Sequence, residues 1–87
     1  MQELSRIRDG LLGFLQERLG APQELDENTD LIDGGLIDSL MLTDLVLQVQ
    51  AEYGVGLQAS DVTPANFRSV SALVELIHRR RTQRKAA

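Results

Sequence analysis

A chain of 87 residues with a formal charge of −4, two prolines, no cysteine and no tryptophan has room for one domain at most. Without cysteine it has no disulfide framework, no thiolate zinc site and no cysteine nucleophile, and a Ser-His-Asp triad would rest on the single histidine, His78. Leu, Ile, Val and Phe make up 27 of the 87 residues, enough apolar surface for a small core and too much for a disordered chain.

Leu4, Ile7, Leu11, Leu12, Leu15 and Leu19 recur at helical intervals. Their period predicts an amphipathic helix over 3–19, with Gly20 and Pro22 as its stop. Gly10 and Gly13 each weaken that helix by roughly 1 kcal/mol relative to Ala, and mark either a close helix contact or ordinary tolerance. Residues 21–38 have no sustained period and are rich in Asp, Asn, Thr and Gly, which predicts a loop. So long a loop in so small a domain needs apolar anchors, and Leu25, Leu31, Ile32, Leu36 and Ile37 are the candidates.

Leu42, Leu45, Val46, Val49 and Tyr53 define a second helix over 39–53, with Asp38 at its N-cap and Gly54 at its stop. Val55-Gly56-Leu57 is apolar but has no partner strand, and reads as loop. Thr63 followed by Pro64 predicts a cap and one helical turn to Phe67. Ser69 caps a last helix whose stripe is Val70, Leu73, Val74 and Ile77. The expected fold is all-α: a small four-helix bundle of three main helices and one short one, antiparallel where connections are short, with a long first loop.

The charge reverses near the end. Residues 1–78 hold 13 acids and four bases, while Arg79, Arg80, Arg81, Arg84 and Lys85 crowd the last nine positions. An acidic body repels phosphate backbones and suits basic protein surfaces, so the expected partners are proteins, with no nucleic acid and no membrane. The domain is expected over 1–78, and 79–87 reads as a basic tail, a frayed helix end or disordered. No stretch approaches a membrane span and the first residues lack the order of a signal peptide, so the expected location is cytoplasmic.

The segment Asp33-Gly34-Gly35-Leu36-Ile37-Asp38-Ser39-Leu40 delivers an Asp-Ser pair to the first turn of the second helix. Unpaired N–H groups and a partial positive charge at that helix end favour a phosphate esterified to Ser39. Gly34 and Gly35 keep the approach clear of bulky side chains. Asp38 either caps the helix or helps hold a divalent ion beside an incoming phosphate donor. Taken alone, Asp38 and Ser39 also fit a purely local capping role.

Asp38-Ser39-Leu40 resembles the Asp-Ser-Leu attachment motif of acyl carrier proteins, and the setting resembles that family too. Asn28-Thr29-Asp30-Leu31-Ile32-Asp33 is similar to its approach loop. Leu42 to Leu47 and then Glu52-Tyr53-Gly54-Val55 are similar to its recognition helix and close. Thr63 to Val70 is similar to its short third helix and the start of the fourth. The likeness covers residues 4–78.

This resemblance implies that Ser39 carries a 4′-phosphopantetheine arm from coenzyme A, attached by a phosphopantetheinyl transferase, with Asp38 beside it. The arm's thiol would hold acyl or aminoacyl groups as thioesters between an acyl- or aminoacyl-activating ligase and downstream synthases or transferases. The chain would be shuttle and substrate, not enzyme, in a polyketide, nonribosomal peptide or fatty-acid-like pathway. The missing cysteine agrees with a sulfur brought by the cofactor. A single carrier domain of this length suggests a discrete monomer served by enzymes acting in trans.

The implied docking face is Leu40, Met41, Asp44 and Leu47 beside Asp38. Fatty-acid carriers usually display several acids on the second helix, where this chain has Asp44 and Glu52 alone, so apolar contacts should matter more. Met41 and Leu47 fall outside the strongest stripe and are either partner-facing or peripheral core. The Gly34-Gly35 pair is similar to peptidyl carriers and Asp38 to acyl carriers, which leaves the cargo open.

Competing chemistries fit less well. Asp26, Asn28 and Asp30 match three positions of a calcium loop, but Leu31 and Ile37 stand where its Gly and closing Glu belong, so no metal site is expected. A hydrolase elbow needs glycines where Ile37 and Met41 stand. His78 reads as a helix-end residue complementing the dipole. The alternative of a different class is a small helical interaction (adaptor) module in which Ser39 is only a helix cap.

Overall fold

A computed structural model describes residues 2–19 and 25–86. The expected stop of the first helix at Gly20 and Pro22 lies outside the described residues. The elements are α1 (Gln2–Leu19), α2 (Ser39–Tyr53), α3 (Pro64–Phe67) and α4 (Val70–Ala86), with a 3₁₀ turn at Ala59–Asp61 and no strand among the described residues. The all-α bundle expected from the apolar periods is the fold found. No helix among the described residues is long and apolar enough to cross a membrane.

Each main helix buries the stripe its sequence provides. Ile7, Leu11 and Leu15 of α1, Leu45 and Val49 of α2, and Val70, Leu73, Val74 and Ile77 of α4 enter one core. Leu76 is buried as well, although it lies off the α4 stripe. The reason is that α4 packs against α1 and also against α3, so its buried arc is wider than a single stripe.

Contacts at the helix ends set the directions. Tyr53 Oη, at the end of α2, donates to the carbonyl of Ile7 near the start of α1 at 3.4 Å. Arg81, near the end of α4, lies 3.4 Å from Glu3. Arg18, near the end of α1, pairs with Asp44 early in α2. Both α2 and α4 therefore run antiparallel to α1 and parallel to each other. The connector between them, with its 3₁₀ turn and α3, carries the chain back before α4 begins; a tight turn would have made those two antiparallel.

The two glycines of α1 differ in kind. A Cβ on Gly10 would come within 2.7 Å of Tyr53 Oη, whereas one on Gly13 would meet nothing within 4 Å. Gly10 marks the close helix contact and Gly13 is merely tolerated. Burial, with Glu52 adding to it, pushes the Tyr53 phenol above its ordinary value.

Local caps are where the sequence places them. Thr63 Oγ1 accepts from Asn66 N at 3.2 Å and Ser69 Oγ from Ala72 N at 3.2 Å. Gly54 closes α2 in the left-handed conformation, at φ 65°. Past His78, α4 runs on as helix, and three arginines of the basic run reach the body: Arg79 to Asn66 at 3.3 Å, Arg80 to Asp61 at 2.6 Å and Arg81 to Glu3.

Asp61 had no distinguishing signal in the sequence, yet it is a buried carboxylate. One oxygen accepts from Arg80 and the other from Gln58 N at 2.9 Å, closing the 3₁₀ turn, while its carbonyl accepts from Asn66 Nδ2 at 2.9 Å. The hydrogen bond from Arg80 lowers its pKa, burial opposes that, and the bond from Gln58 N adds to the lowering.

Candidate functional site

The loop that leads to Ser39 is held by its own backbone. Leu31 is fully buried, and its carbonyl accepts from both Leu36 N and Ile37 N at 3.1 Å. Its N–H donates to the carbonyl of Arg68 at 2.7 Å, and Ser71 N donates to the Glu27 carbonyl at 2.9 Å, which ties the loop to the start of α4. Ile37, buried one residue before Asp38, anchors the exit. Leu25, Ile32 and Leu36 pack on the core as partly buried neighbours.

Gly34 and Gly35 do more than clear an approach. A Cβ on Gly34 would sit 2.7 Å from the Asp30 carbonyl oxygen, a backbone atom that cannot step aside. Gly35 has φ +72°, a region that costs other residues about 1–2 kcal/mol. The loop acids also have local tasks. Asp26 Oδ1 accepts from Asn28 N at 2.8 Å, and Asp30 Oδ1 accepts from Ile32 N and Asp33 N at 3.1 and 2.8 Å. These carboxylates serve the backbone as turn formers, and the described residues contain no metal-binding cluster of His, Cys, Asp or Glu.

At the start of α2, Asp38 has an extended backbone and its Oδ1 accepts from Met41 N at 2.8 Å. Asp38 is therefore the N-cap, worth about 1 kcal/mol. Ser39 is the first helical residue, exposed, and it does not cap. Thr29, Thr43, Thr63 and Ser69 commit their hydroxyls to hydrogen bonds; those of Ser39, Ser5, Ser60, Ser71 and Thr82 have no partner among the described residues, and among these Ser39 is the first residue of a main helix. A module in which Ser39 is only a helix cap loses its premise here.

The candidate docking residues divide. Leu40 and Leu47, 73% and 58% exposed, are seven residues apart on one face of α2, a separation of about two turns. Met41 is partly buried against the core. Asp44, between the leucines, accepts from Arg18 Nη1 at 3.0 Å, and the Arg18 guanidinium lies over the Phe14 ring at 5.1 Å from its centroid. Sequence reasoning missed Arg18 and Phe14, although their spacing of four on α1 makes them neighbours.

Comparison with known proteins identifies the family. The family defined by a phosphopantetheine attachment site matches residues 9–77. The probable acyl carrier protein PigG of Serratia sp. is 33% identical over 60 residues, 69% of this chain and 69% of that protein. Aminoacyl carrier protein 2 of Bradyrhizobium diazoefficiens is 43% identical over 47 residues, 54% of this chain and 52% of that protein, about half its length. A chain of the solved structure described as "Crystal structure of FAD-dependent dehydrogenase" superposes with a TM-score of 0.72 at 33% identity, covering 77% of this chain and 97% of that one.

The chain thus belongs to the phosphopantetheine attachment family of carrier proteins, which bear cargo and do not themselves catalyse. Membership implies a covalently attached phosphopantetheine, whose terminal thiol supplies the thioester chemistry. The residues present fit such a group at the start of α2: an exposed, unengaged hydroxyl, backbone N–H groups at a helix N-terminus, and glycines in the loop before it.

Proposed function

We propose that Ser39 is the attachment residue for phosphopantetheine, and that the chain holds acyl or aminoacyl intermediates as thioesters in a polyketide, nonribosomal peptide or fatty-acid-like biosynthetic pathway. The observation that carries this reading is the division of labour at the start of α2, where Asp38 caps the helix and leaves the Ser39 hydroxyl exposed and unengaged. A phosphodiester on Ser39 gains from the helix dipole and from first-turn N–H groups that have no intrahelical acceptor. Asp38 Oδ1 accepts from Met41 N, and the same carboxylate would help hold a divalent ion beside the incoming phosphate donor during transfer from coenzyme A.

The docking face in this reading is Asp38, Leu40, Asp44 and Leu47, with Met41 supporting it from the core side. Its occupants are the phosphopantetheinyl transferase, an acyl- or aminoacyl-activating ligase and the downstream enzymes. The names of the two relatives support acyl and aminoacyl cargo alike.

Incubation with coenzyme A, magnesium and a broad-specificity transferase, followed by intact-mass measurement, tests the assignment. The wild-type chain should gain one phosphopantetheine and Ser39→Ala none. Absence of any gain with several transferases, or gain by the alanine variant, sinks it.

A further inference from the structure

The outward face of α2 has an electrostatic element that is supplied from α1. The helix contains no base, and its acids are Asp44 and Glu52. Asp44 lies four residues after Leu40 and three before Leu47, the large hydrophobic side chains most exposed among the described residues. Its Oδ2 is bonded to Arg18 Nη1 at 3.0 Å, and Phe14 supports the guanidinium from beneath. The two side chains keep 35% and 49% of their surface exposed and share one hydrogen bond, so the pair is weak and open to exchange.

We propose that Arg18 is a specificity-determining residue of the docking face: it masks Asp44, and a partner engages the face by offering an apolar recess to Leu40 and Leu47 together with a basic side chain that takes Asp44 over from Arg18. Charge complementarity selects this occupant. Residues 1–78 carry 13 acids against four bases, which draws basic surfaces to the body, while the leucines on either side of the carboxylate require that the recess be apolar. A basic surface without the recess only exchanges one weak exposed pair for another and gains little net affinity, and an apolar surface without the base leaves a charge pair to be desolvated. Masking therefore discriminates against partners that satisfy half of the requirement.

The inference rests on the proposed attachment at Ser39 and docking on α2, and its test separates the two. KM and kcat for the apo chain are measured with coenzyme A and a transferase whose docking surface is basic, at low and high salt, for wild type, Arg18→Gln, Asp44→Asn and Arg6→Gln. Arg18→Gln should lower KM about two- to fivefold at low salt and Asp44→Asn raise it by a similar factor, with kcat unchanged and both effects shrinking at high salt. Arg6→Gln removes the same charge from the other end of α1 and should leave KM where it is.

A pair that only braced α1 against α2 would shift both single variants in the same direction. That result, unmoved KM values, or an equal drop for Arg6→Gln overturns the masking role while Ser39-dependent loading stands. If the wild-type chain accepts no phosphopantetheine at all, the attachment reading falls and the inference falls with it. Melting curves within a few degrees of wild type confirm that the variants are folded.

Discussion

The connectors on either side of α2 are held by different physics. Residues 25–38 are secured by buried apolar anchors and by bonds among backbone groups, with Leu31 at the centre of both. Residues 58–69 depend on a buried carboxylate, Asp61, whose partner Arg80 comes from the basic end of α4, with Phe67 as the apolar plug. The first connector leads into Ser39, whose side chain is exposed, and in the proposed reading its outer surface stays open to enzymes. Its Asp26 and Asp30 carboxylates serve its own backbone, and the long side chain of Arg8 reaches it at Glu27, 3.9 Å away and twelve residues before Ser39. The second can rely on a distant arginine, so its order is tied to charge and to the state of the α4 end.

Truncating the apolar anchors gives the largest effects. Phe67→Ala should cost about 3–5 kcal/mol and Leu31→Ala about 2–5 kcal/mol in urea unfolding, much of the margin of a small domain. A cost for Leu31→Ala under about 1 kcal/mol would mean that the first connector is not anchored as described.

Asp61→Asn sharpens the contrast through pH. Its pKa is held below the ordinary carboxylate value, so its contribution is full above about pH 4 and is lost as pH falls through the folded-state value. At neutral pH the variant should melt roughly 5–15 °C below wild type, and the gap should close on acidification below about pH 4. The gap between wild type and Leu31→Ala should not depend on pH. Equal pH dependence for the two variants would erase the distinction between the connectors.

The smallest change is Gly35→Ala. Placing a Cβ at φ +72° should destabilise the first connector by about 1 kcal/mol, read as a modest fall in melting temperature with little change in acid sensitivity. A neutral or stabilising effect would show that the backbone there relaxes freely.

Much of this arrangement is legible in the sequence wherever the physics is local. Asp38, Thr63 and Ser69 are readable as caps because each bonds an N–H three residues ahead. Leu31 and Ile37 are readable as anchors because an aperiodic loop has no other reason to hold them. Arg18 with Asp44 and Asp61 with Arg80 are not readable, since the partners lie 26 and 19 residues apart and any exposed acid offers many such pairings. Leu76 escaped for a related reason: a stripe registers one neighbour, and α4 packs against both α1 and α3.

The amino-acid sequence alone determined the helices, their caps and the loop before Ser39, because each rests on spacings within a few residues, and its motifs carried the resemblance to acyl carrier proteins. Only the tertiary structure decided that the Ser39 hydroxyl, beside the Asp38 cap, stays exposed and without a partner among the described residues. It also decided that α2 and α4 run parallel, that the arginines after His78 brace the body, and that Arg18 covers Asp44. Those outcomes depend on which distant groups meet once the helices pack, and a linear pattern of apolar residues constrains helix faces without naming the polar groups that end up beside one another.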